Sequence, residues 1–240
     1  MDDKPIFEAR NCMPRYKRGR NLNDWNTNRA DAGRGKLRIV GGRFRGRQIE
    51  YSGDPVTRPM KDNIREALFN LVGGWVKGKV VLDLFAGTGA MALEALSRGA
   101  ERAFLVERHI PTVRIIKQNV QSLDPDLAAE VAGSDTFFWV RQFLKDAQNL
   151  PQEPWLVFCC PPYAFFEERE TEVLEMVANL IQVAPQESIF VVESDSRFSP
   201  ENLPHPDAWT VRKYSPALVS IYRKSNSSAD SSDGSETVLK

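Results

Sequence analysis

Blocks of apolar and polar residues along the chain predict strands and helices in alternation. The segments "KVVLDLF", "RAFLVE", "WLVFCC" and "SIFVVES" are short and mostly apolar, which is typical of strands buried on both faces of a parallel sheet. The segments "AMALEALSRG", "IPTVRIIKQNVQSL" and "EERETEVLEMVANLIQ" predict the helices between them. "WTVRKYS" and "ALVSIYR" predict a closing antiparallel pair. The pattern predicts an open α/β sheet, in which ligands bind at the carboxyl ends of the strands.

A shorter unit precedes this alternation. "KLRIVGG" and "RFRGRQIEY" predict two short strands about a turn at Gly41 and Gly42. "PMKDNIREALFNLV" predicts a helix with Pro59 in its first turn. The apolar face of that helix is predicted from helical spacing to consist of Ile64, Ala67, Leu68 and Leu71.

The composition is that of an ordinary soluble globular protein. Of the 240 residues, 42% are hydrophobic and 27% are charged. No apolar run approaches membrane-spanning length, and the first residues, "MDDKPIFEAR", lack the features of a signal peptide. The cysteines Cys12, Cys159 and Cys160 form neither a disulfide framework nor a zinc-site spacing. These features predict a cytoplasmic protein with no membrane segment and no metal site.

The net charge of zero conceals an uneven distribution. Residues 10–47 contain twelve Lys or Arg and two Asp, whereas the remainder contains 20 Lys or Arg and 30 Asp or Glu. A basic arm on an acidic body is common in proteins that bind nucleic-acid phosphates, although a solvated basic tail would give the same composition. Residues 1–35 are poor in apolar residues and residues 225–240 are acidic and Ser-rich, so both are predicted to be disordered tails.

A glycine-containing turn, "VLDLFAGTGAMALEAL" (81–96), follows the first buried strand. Gly87 and Gly89 lack side chains that would keep a ligand from the backbone at the start of the next helix. Gly87-x-Gly89-x-x-Ala92 also passes for a dinucleotide fingerprint, which is a weak signal by itself. A nicotinamide-dependent oxidoreductase is therefore an alternative hypothesis, but it requires a general acid that His109 and His205 are poorly placed to provide.

Acidic residues beside the turn favour a different cofactor. Asp83 lies just ahead of the glycines, where a carboxylate suits an ammonium group better than a pyrophosphate. Glu107 ends the next predicted strand, where it can accept hydrogen bonds from both ribose hydroxyls. S-adenosylmethionine has an amino acid end, a ribose and no phosphate, so it fits better than NAD. Asp135, in "AGSDTF", could bind the adenine amino group or cap a helix.

With these motifs in order, the chain resembles a family, the bacterial small-subunit (16S) rRNA guanine-N2 methyltransferases of the RsmD type. The resemblance covers about residues 37–224 and rests on "LRIVGGRFRGRQI", "TRPMKDNIREALFN", "VLDLFAGTGAMALEALSRGA", "LVER", "CPPY" and "SIFVVES". It implies a class I, Rossmann-like methyltransferase fold with a mostly parallel seven-stranded sheet and an antiparallel closing hairpin. It also implies S-adenosylmethionine as cofactor and small-subunit rRNA or an assembling ribosomal subunit as partner, and we expect a monomer.

The composition, the motifs and the resemblance together give the expected domains and site residues, and the two tails rest on composition alone. We expect a basic arm (1–35), an RNA-binding hairpin and helix (36–72), a methyltransferase domain (73–224) and an acidic tail (225–240). The expected cofactor-binding residues are Asp83, Phe85, Ala86, Gly87, Thr88, Gly89, Glu107, Arg108 and Asp135. The residues expected at the target base are Cys160, Pro161, Pro162 and Tyr163. The expected RNA contacts are Arg43, Arg45, Arg47, Arg58 and Arg65, and the alternative for each of them is an ordinary solvated surface arginine.

Cys160 departs from the family pattern, which has Asp or Asn at this position. In the family the extruded guanine stacks on the aromatic ring, here Tyr163, and its amine donates to the Asp or Asn and to a backbone carbonyl, here that of Pro161. A thiol is a weak hydrogen-bonding group. Losing one acceptor that acts in the transition state typically costs about 2–4 kcal/mol, or roughly a hundred- to a thousandfold in rate.

Three interpretations of Cys160 are open. The protein is a guanine-N2 methyltransferase whose pocket compensates, or an RNA-binding relative with little or no catalysis, or an enzyme that uses Cys160 as a nucleophile toward a pyrimidine. The third chemistry requires an activated thiolate. A fourth, simpler interpretation treats Cys159 and Cys160 as small buried residues that end a strand.

Overall fold

The computed structural model describes residues 35–53, 59–146 and 148–225. Its strands, in chain order, are β1 (Gly35–Arg38), β2 (Gln48–Tyr51), β3 (Val80–Asp83), β4 (Arg102–Glu107), β5 (Ala129–Gly133), β6 (Trp155–Cys159), β7 (Ile189–Asp195), β8 (Trp209–Tyr214) and β9 (Ala217–Arg223). Its helices are α1 (Asp62–Val72), α2 (Ala90–Ser97), α3 (Ile110–Leu123), α4 (Thr136–Lys145), α5 (Phe165–Glu168) and α6 (Glu170–Val183). The tails predicted at 1–35 and 225–240 lie outside the described residues, apart from Gly35 and Ser225.

Seven of the strands form one sheet in the order β5-β4-β3-β6-β7-β9-β8. The five strands from β5 to β7 in this order pair in parallel, whereas β9 is antiparallel to both β7 and β8. The predicted α/β sheet and its antiparallel closing pair are therefore confirmed. Within the described residues, no helix is both long and apolar enough to cross a membrane, and no cluster of His, Cys, Asp and Glu is placed to hold a metal ion.

Side chains that alternate along the central strands fill two hydrophobic cores, one on each face of the sheet. One core contains Val81 and Phe158 with residues of β1, β2, α1, α2 and α3, and we call it the extension-side core. The other contains Leu82 and Val157 with residues of α4 and α6, and we call it the opposite core. Burial on both faces explains why these strands are almost fully apolar.

The predicted hairpin about Gly41 and Gly42 is wrong in its connection. β1 and β2 pair antiparallel from Arg38 opposite Gln48, so the loop between the strands is long and residues 43–47 are not part of β2. The loop packs against the end of α2, because the Phe44 N–H donates to Ser97 Oγ (2.9 Å) and the Phe44 ring is buried. Tertiary packing onto α2 therefore replaces the tight turn that the glycines predicted.

The first helix begins later and buries a different face than its pattern predicted. It starts at Asp62, three residues after Pro59. Its buried residues are Arg65, Leu68, Phe69 and Val72, and the predicted Ile64, Ala67 and Leu71 lie at the partly exposed margins of that face. The helix predicted after the Pro-Pro turn is divided into α5 and α6, and α4 was not predicted from the pattern.

Candidate functional site

The carboxyl ends of three neighbouring strands bring the predicted site residues to one edge of the sheet. Asp83 is the last residue of β3, Glu107 is the last residue of β4, and Cys160 directly follows β6. β3 lies between β4 and β6 and is parallel to both. The glycine turn and the Pro-Pro-Tyr turn therefore lie at the same edge, where ligands of such sheets bind.

The turn after β3 requires glycine at residue 89. Gly89 has a left-handed φ of +75°, and a Cβ there would lie 3.1 Å from Ile116 Cγ2 and 3.4 Å from Leu105 Cδ2. Gly87 also has a positive φ, of +52°. Without these side chains a ligand can approach the backbone at the amino end of α2.

Asp83 and Thr88 bind the first N–H groups of α2. Asp83 Oδ2 accepts from the Ala92 N–H (3.2 Å), and Thr88 Oγ1 accepts from the Ala90 N–H (3.3 Å). Burial raises the pKa of Asp83 to about 7; the hydrogen bond from Ala92 lowers it, and the negative charge of Glu107 raises it. An ionised Asp83 is therefore unfavourable here unless a cation lies beside it.

The Glu107 carboxylate connects the turns that follow β3 and β4. Its Oε2 accepts from the Gly87 N–H (3.0 Å) and its Oε1 accepts from the His109 N–H (2.7 Å). Each carboxylate oxygen has a second lone pair, so two further donors can still bind. Glu107 thus braces the glycine turn and retains the capacity to accept hydrogen bonds from a diol.

Aromatic rings flank the glycine turn on one side. The Phe85 ring contacts Phe137 and Phe165 edge-on, with centroids 6.1 and 6.0 Å away. Arg108 is exposed, and its Cζ lies 5.9 Å from the Phe165 centroid. Ala86 is buried within the turn itself. Phe85 and Arg108, both predicted cofactor residues, therefore meet at Phe165, which the sequence did not single out.

Asp135 is the amino-terminal cap of α4. Its Oδ1 accepts from the Phe138 N–H (3.0 Å), and its Oδ2 lies 3.8 Å from Arg169 Nη1. The helix-cap interpretation of Asp135 therefore holds in the structure. Its carboxylate is exposed at the end of the same sheet edge, so an adenine-binding role stays a prediction.

The Pro-Pro-Tyr segment forms a compact turn between β6 and α5. Pro161 is buried, Pro162 is exposed and Tyr163 is half-buried. The Pro162 carbonyl accepts from the Phe165 N–H (2.8 Å), whereas no N–H or O–H of the described residues donates to the Pro161 carbonyl. The turn thus leaves one backbone carbonyl with its acceptor capacity unused by the described chain.

Glu193 lies beside this turn and was not predicted as a site residue. Cys159 is paired with Val192 in the β6–β7 register, so Cys160 and Glu193 lie side by side. Tyr163 Oη donates to Glu193 Oε1 over 2.8 Å. Burial raises the pKa of Glu193, against the opposing effect of hydrogen bonds from the Tyr163 hydroxyl and the Cys160 thiol.

The environment of the cysteines disfavours a thiolate. Burial raises the pKa of Cys159 to about 12. Burial also raises the pKa of Cys160 well above its usual range, and the nearby carboxylates of Glu193 and Asp83 add to the rise. A nucleophilic cysteine requires the opposite setting, so the structure argues against the nucleophile interpretation.

Comparison with known protein families gives a match over most of the chain. The model of the family described as Conserved hypothetical protein 95 matches residues 37–223. The chain belongs to this family. The resemblance found from the motifs is thereby confirmed, and it spans nearly all of the described residues.

Two proteins with sequences similar to this chain carry the name Ribosomal RNA small subunit methyltransferase D. The Escherichia coli protein is 31% identical over 196 residues, which cover 80% of this chain and 90% of the relative. The Haemophilus influenzae protein is 30% identical over 192 residues, which cover 79% of this chain and 93% of the relative.

Solved structures show the same fold. The Escherichia coli protein yhhF is 26% identical and superposes with a TM-score of 0.61, covering 80% of this chain and 99% of its own. The Thermus thermophilus protein TTHA0928 is 25% identical, with a TM-score of 0.62 over 78% of this chain and 99% of its own. The seven-stranded sheet of this family member is the class I, Rossmann-like methyltransferase fold.

The arginines expected to bind RNA differ in their exposure. Arg43, Arg45 and Arg47 are exposed in the loop between β1 and β2. Arg43 Nη2 lies 3.2 Å from Asp124 Oδ2, and Arg47 Nη2 donates to the Ser122 carbonyl (2.6 Å). An RNA-binding role of these three exposed residues stays a prediction.

Arg65 is placed differently from that prediction. Its side chain is completely buried, and its Nη2 donates to the Arg38 carbonyl (2.6 Å) and to Asp62 Oδ1 (2.9 Å). In this conformation the Arg65 side chain cannot contact RNA, because it is fully buried and paired with the carboxylates of Asp62 and Glu94. Arg58 lies outside the described residues.

Proposed function

We propose that the protein transfers a methyl group from S-adenosylmethionine to the exocyclic N2 amine of a guanine in small-subunit rRNA. The observation that carries this proposal is the glycine turn between Asp83 and Glu107, which lies beside the Pro-Pro-Tyr turn at one sheet edge. The names of the Escherichia coli and Haemophilus influenzae relatives support small-subunit rRNA as the substrate.

The residues at the glycine turn fit the cofactor. Asp83 is a buried acid whose ionised form needs a cation beside it, and the amino acid end of S-adenosylmethionine carries an ammonium group. Gly89 keeps the backbone accessible, and Glu107 has lone pairs for the ribose hydroxyls. When bound, S-adenosylmethionine supplies an electrophilic methyl group. A thermal-shift comparison tests this fit, because S-adenosylhomocysteine should raise the Tm and NAD should not.

The Pro-Pro-Tyr turn would position the target base. The Tyr163 ring provides a stacking surface for an extruded guanine, and its hydroxyl is tied to Glu193, which fixes the ring. The Pro161 carbonyl accepts one hydrogen of the amine. These contacts orient the nitrogen lone pair toward the methyl group, and such positioning supplies much of the rate in a transfer of this kind.

The extension formed by β1, β2 and α1 would guide the RNA to this edge. It packs on the extension-side core, on the face toward which Asp83 and Cys160 point. Arg45 and Arg47 are exposed there and can contact phosphates. We infer that the basic arm (1–35) adds salt-sensitive affinity for the same RNA, so that its deletion would flatten the dependence of binding on salt concentration.

Methyl transfer from radiolabelled S-adenosylmethionine to small ribosomal subunits tests the proposal. Subunits that lack this methylation should accept label, and subunits that already carry it should not. A protein that binds S-adenosylhomocysteine and small-subunit RNA but labels neither substrate would instead be a relative that has lost catalysis. The replacement of the family's Asp or Asn by Cys160 is the observation that favours this second candidate function.

A further inference from the structure

Three neighbouring strands carry Asp83, Cys160 and Glu193 at or near their carboxyl ends, with side chains that point to the same face of the sheet. Asp83, Cys160 and Glu193 each lie two residues beyond an apolar residue of the extension-side core, and successive strand residues alternate between the faces. β6 lies between β3 and β7, so Cys160 is in the middle and a carboxylate lies on each side. Asp83 belongs to the cofactor turn, which leaves Glu193 on the side of the Pro-Pro-Tyr turn.

Glu193 can supply the acceptor that residue 160 does not. Its carboxylate receives a hydrogen bond from the Tyr163 hydroxyl and lies beside residue 160, and a carboxylate has about four acceptor positions, so at least two stay available. The thiol at residue 160 is shorter than an Asp or Asn side chain. Glu193 is also half-buried, where a hydrogen bond to a charged acceptor is stronger than in water.

We propose that Glu193 is the catalytic acceptor of the target amine in this protein, in place of the side chain at residue 160. This inference rests on the proposed function. The amine nitrogen would donate one hydrogen bond to Glu193 and one to the Pro161 carbonyl. As the nitrogen lone pair forms the bond to the methyl carbon, the bond from that carbon to the sulfonium sulfur breaks and its electron pair goes to the sulfur. The nitrogen loses one proton to the Glu193 carboxylate, which releases it to water.

The groups that face Glu193 determine how the rate depends on pH. They are the Cys160 thiol and the Tyr163 hydroxyl, with Asp83 beyond the thiol and Asp195 near the tyrosine. Burial raises the pKa of the Glu193 carboxyl and the hydrogen bonds partly oppose this. Since the carboxylate must be ionised to accept the amine, the rate of methyl transfer is expected to fall at low pH as Glu193 takes up a proton.

Single-turnover methyl transfer to small ribosomal subunits that lack the methylation tests this assignment. Glu193→Gln should slow transfer by about a hundredfold or more and should remove the fall at low pH, with KM for S-adenosylmethionine within about twofold. Tyr163→Phe, which removes only the hydroxyl contact and keeps the ring, should slow transfer by less than about tenfold. Glu201→Gln, at an exposed residue outside the site, is the matched control.

A second variant keeps the test independent of folding. Cys160→Asp in the Glu193→Gln background restores a carboxylate beside the turn and should recover at least about tenfold of the lost rate. The assignment is overturned if Glu193→Gln transfers methyl within about threefold of wild type, or if Tyr163→Phe loses as much as Glu193→Gln, since Glu193 would then only orient the ring. A wild-type protein that binds cofactor but transfers no methyl to RNA overturns the proposed function and this inference together.

Discussion

Arg65 and Glu94 form an ion pair inside the protein, with 3.8 Å between Arg65 Nε and Glu94 Oε2 and both side chains fully buried. Glu94 also accepts hydrogen bonds from the Val40 N–H (2.8 Å) and from Arg98 Nε (2.8 Å). Because α2 follows the glycine turn directly, this pair fastens the β1–β2 extension and α1 to the helix that opens at the cofactor site. Arg65 thus acts in the folded structure and not at the RNA surface.

Arg65→Ala should lower the free energy of unfolding by about 3 kcal/mol, because it removes one of the two cations beside the buried Glu94 carboxylate and leaves only Arg98. Urea denaturation measures this change. The control is Arg45→Ala at an exposed position, which should change stability by no more than about 0.5 kcal/mol. An Arg65→Ala variant with unchanged stability and weakened RNA binding would restore the contact role that the sequence predicted.

Asp83 should make stability depend on pH. The pKa of its carboxyl is about 7 in the folded protein against an ordinary value of 3.8, so the folded state holds the proton more tightly. This stabilisation is complete below pH 3.8 and is lost as the pH rises through 7. Between these limits, the free energy of unfolding of wild type should fall relative to that of Asp83→Asn by up to about 4 kcal/mol. If the free energies of unfolding of the two proteins changed with pH in the same way, burial would not raise the pKa of Asp83.

Gly89→Ala should impair both stability and cofactor binding. A left-handed residue other than glycine costs roughly 1–2 kcal/mol, and the added Cβ would also press on Ile116. Gly46→Ala is the matched control, because Gly46 has a φ of +84° with no atom within 4 Å of a Cβ. Thermal unfolding should show the smaller loss for Gly46→Ala, and calorimetry should show weaker S-adenosylhomocysteine binding for Gly89→Ala alone. Equal effects of the two substitutions would contradict the crowding at Gly89.

Cys160→Ala should reduce methyl transfer by less than about tenfold, because a neutral thiol contributes only a weak hydrogen bond. The raised pKa of Cys160 keeps that thiol protonated at neutral pH. Single-turnover kinetics on undermethylated subunits measure the change. Complete loss of activity in the Ala variant, with methyl on a pyrimidine carbon in wild type, would revive the nucleophile interpretation.

The glycine turn was predictable from the sequence because its determinants are local. A short apolar strand, two glycines and an apolar helix follow one another within residues 80–97, and each step depends on its nearest neighbours. The parallel arrangement then places Glu107 at the same edge as Asp83 without further information. For the same reason the order of strands and helices along the chain was largely predicted.

Glu193 was not predicted because its position depends on sheet order. In the sequence it is the polar residue that ends an apolar strand, which is an ordinary place for a solvated carboxylate. Only the pairing of β6 with β7 brings Glu193 beside Cys160 and Tyr163. Tyr163 lies 30 residues before Glu193 in the chain. An acidic residue at the end of any strand next to a Pro-Pro-Tyr turn is the signal that could have found it.

Contacts between distant segments also explain why the hydrophobic pattern did not predict which residues of the extension are buried. Phe44 turns inward because Ser97 binds its backbone N–H, and Arg65 is buried because Asp62 on its own helix and Glu94 on α2 neutralise it together. Hydrophobic periodicity assigns every arginine to the solvent, so it cannot identify a buried charge whose partner lies on another helix.

Identification of the methylated nucleoside is the decisive test of methyl transfer to guanine N2. Small ribosomal subunits that lack the modification would be incubated with the protein and S-adenosylmethionine, digested to nucleosides and separated by chromatography with mass detection. The proposed function predicts N2-methylguanosine as the new product, with nearly all of it lost in Glu193→Gln. Methyl on any other base position, or on the ribose, would contradict it.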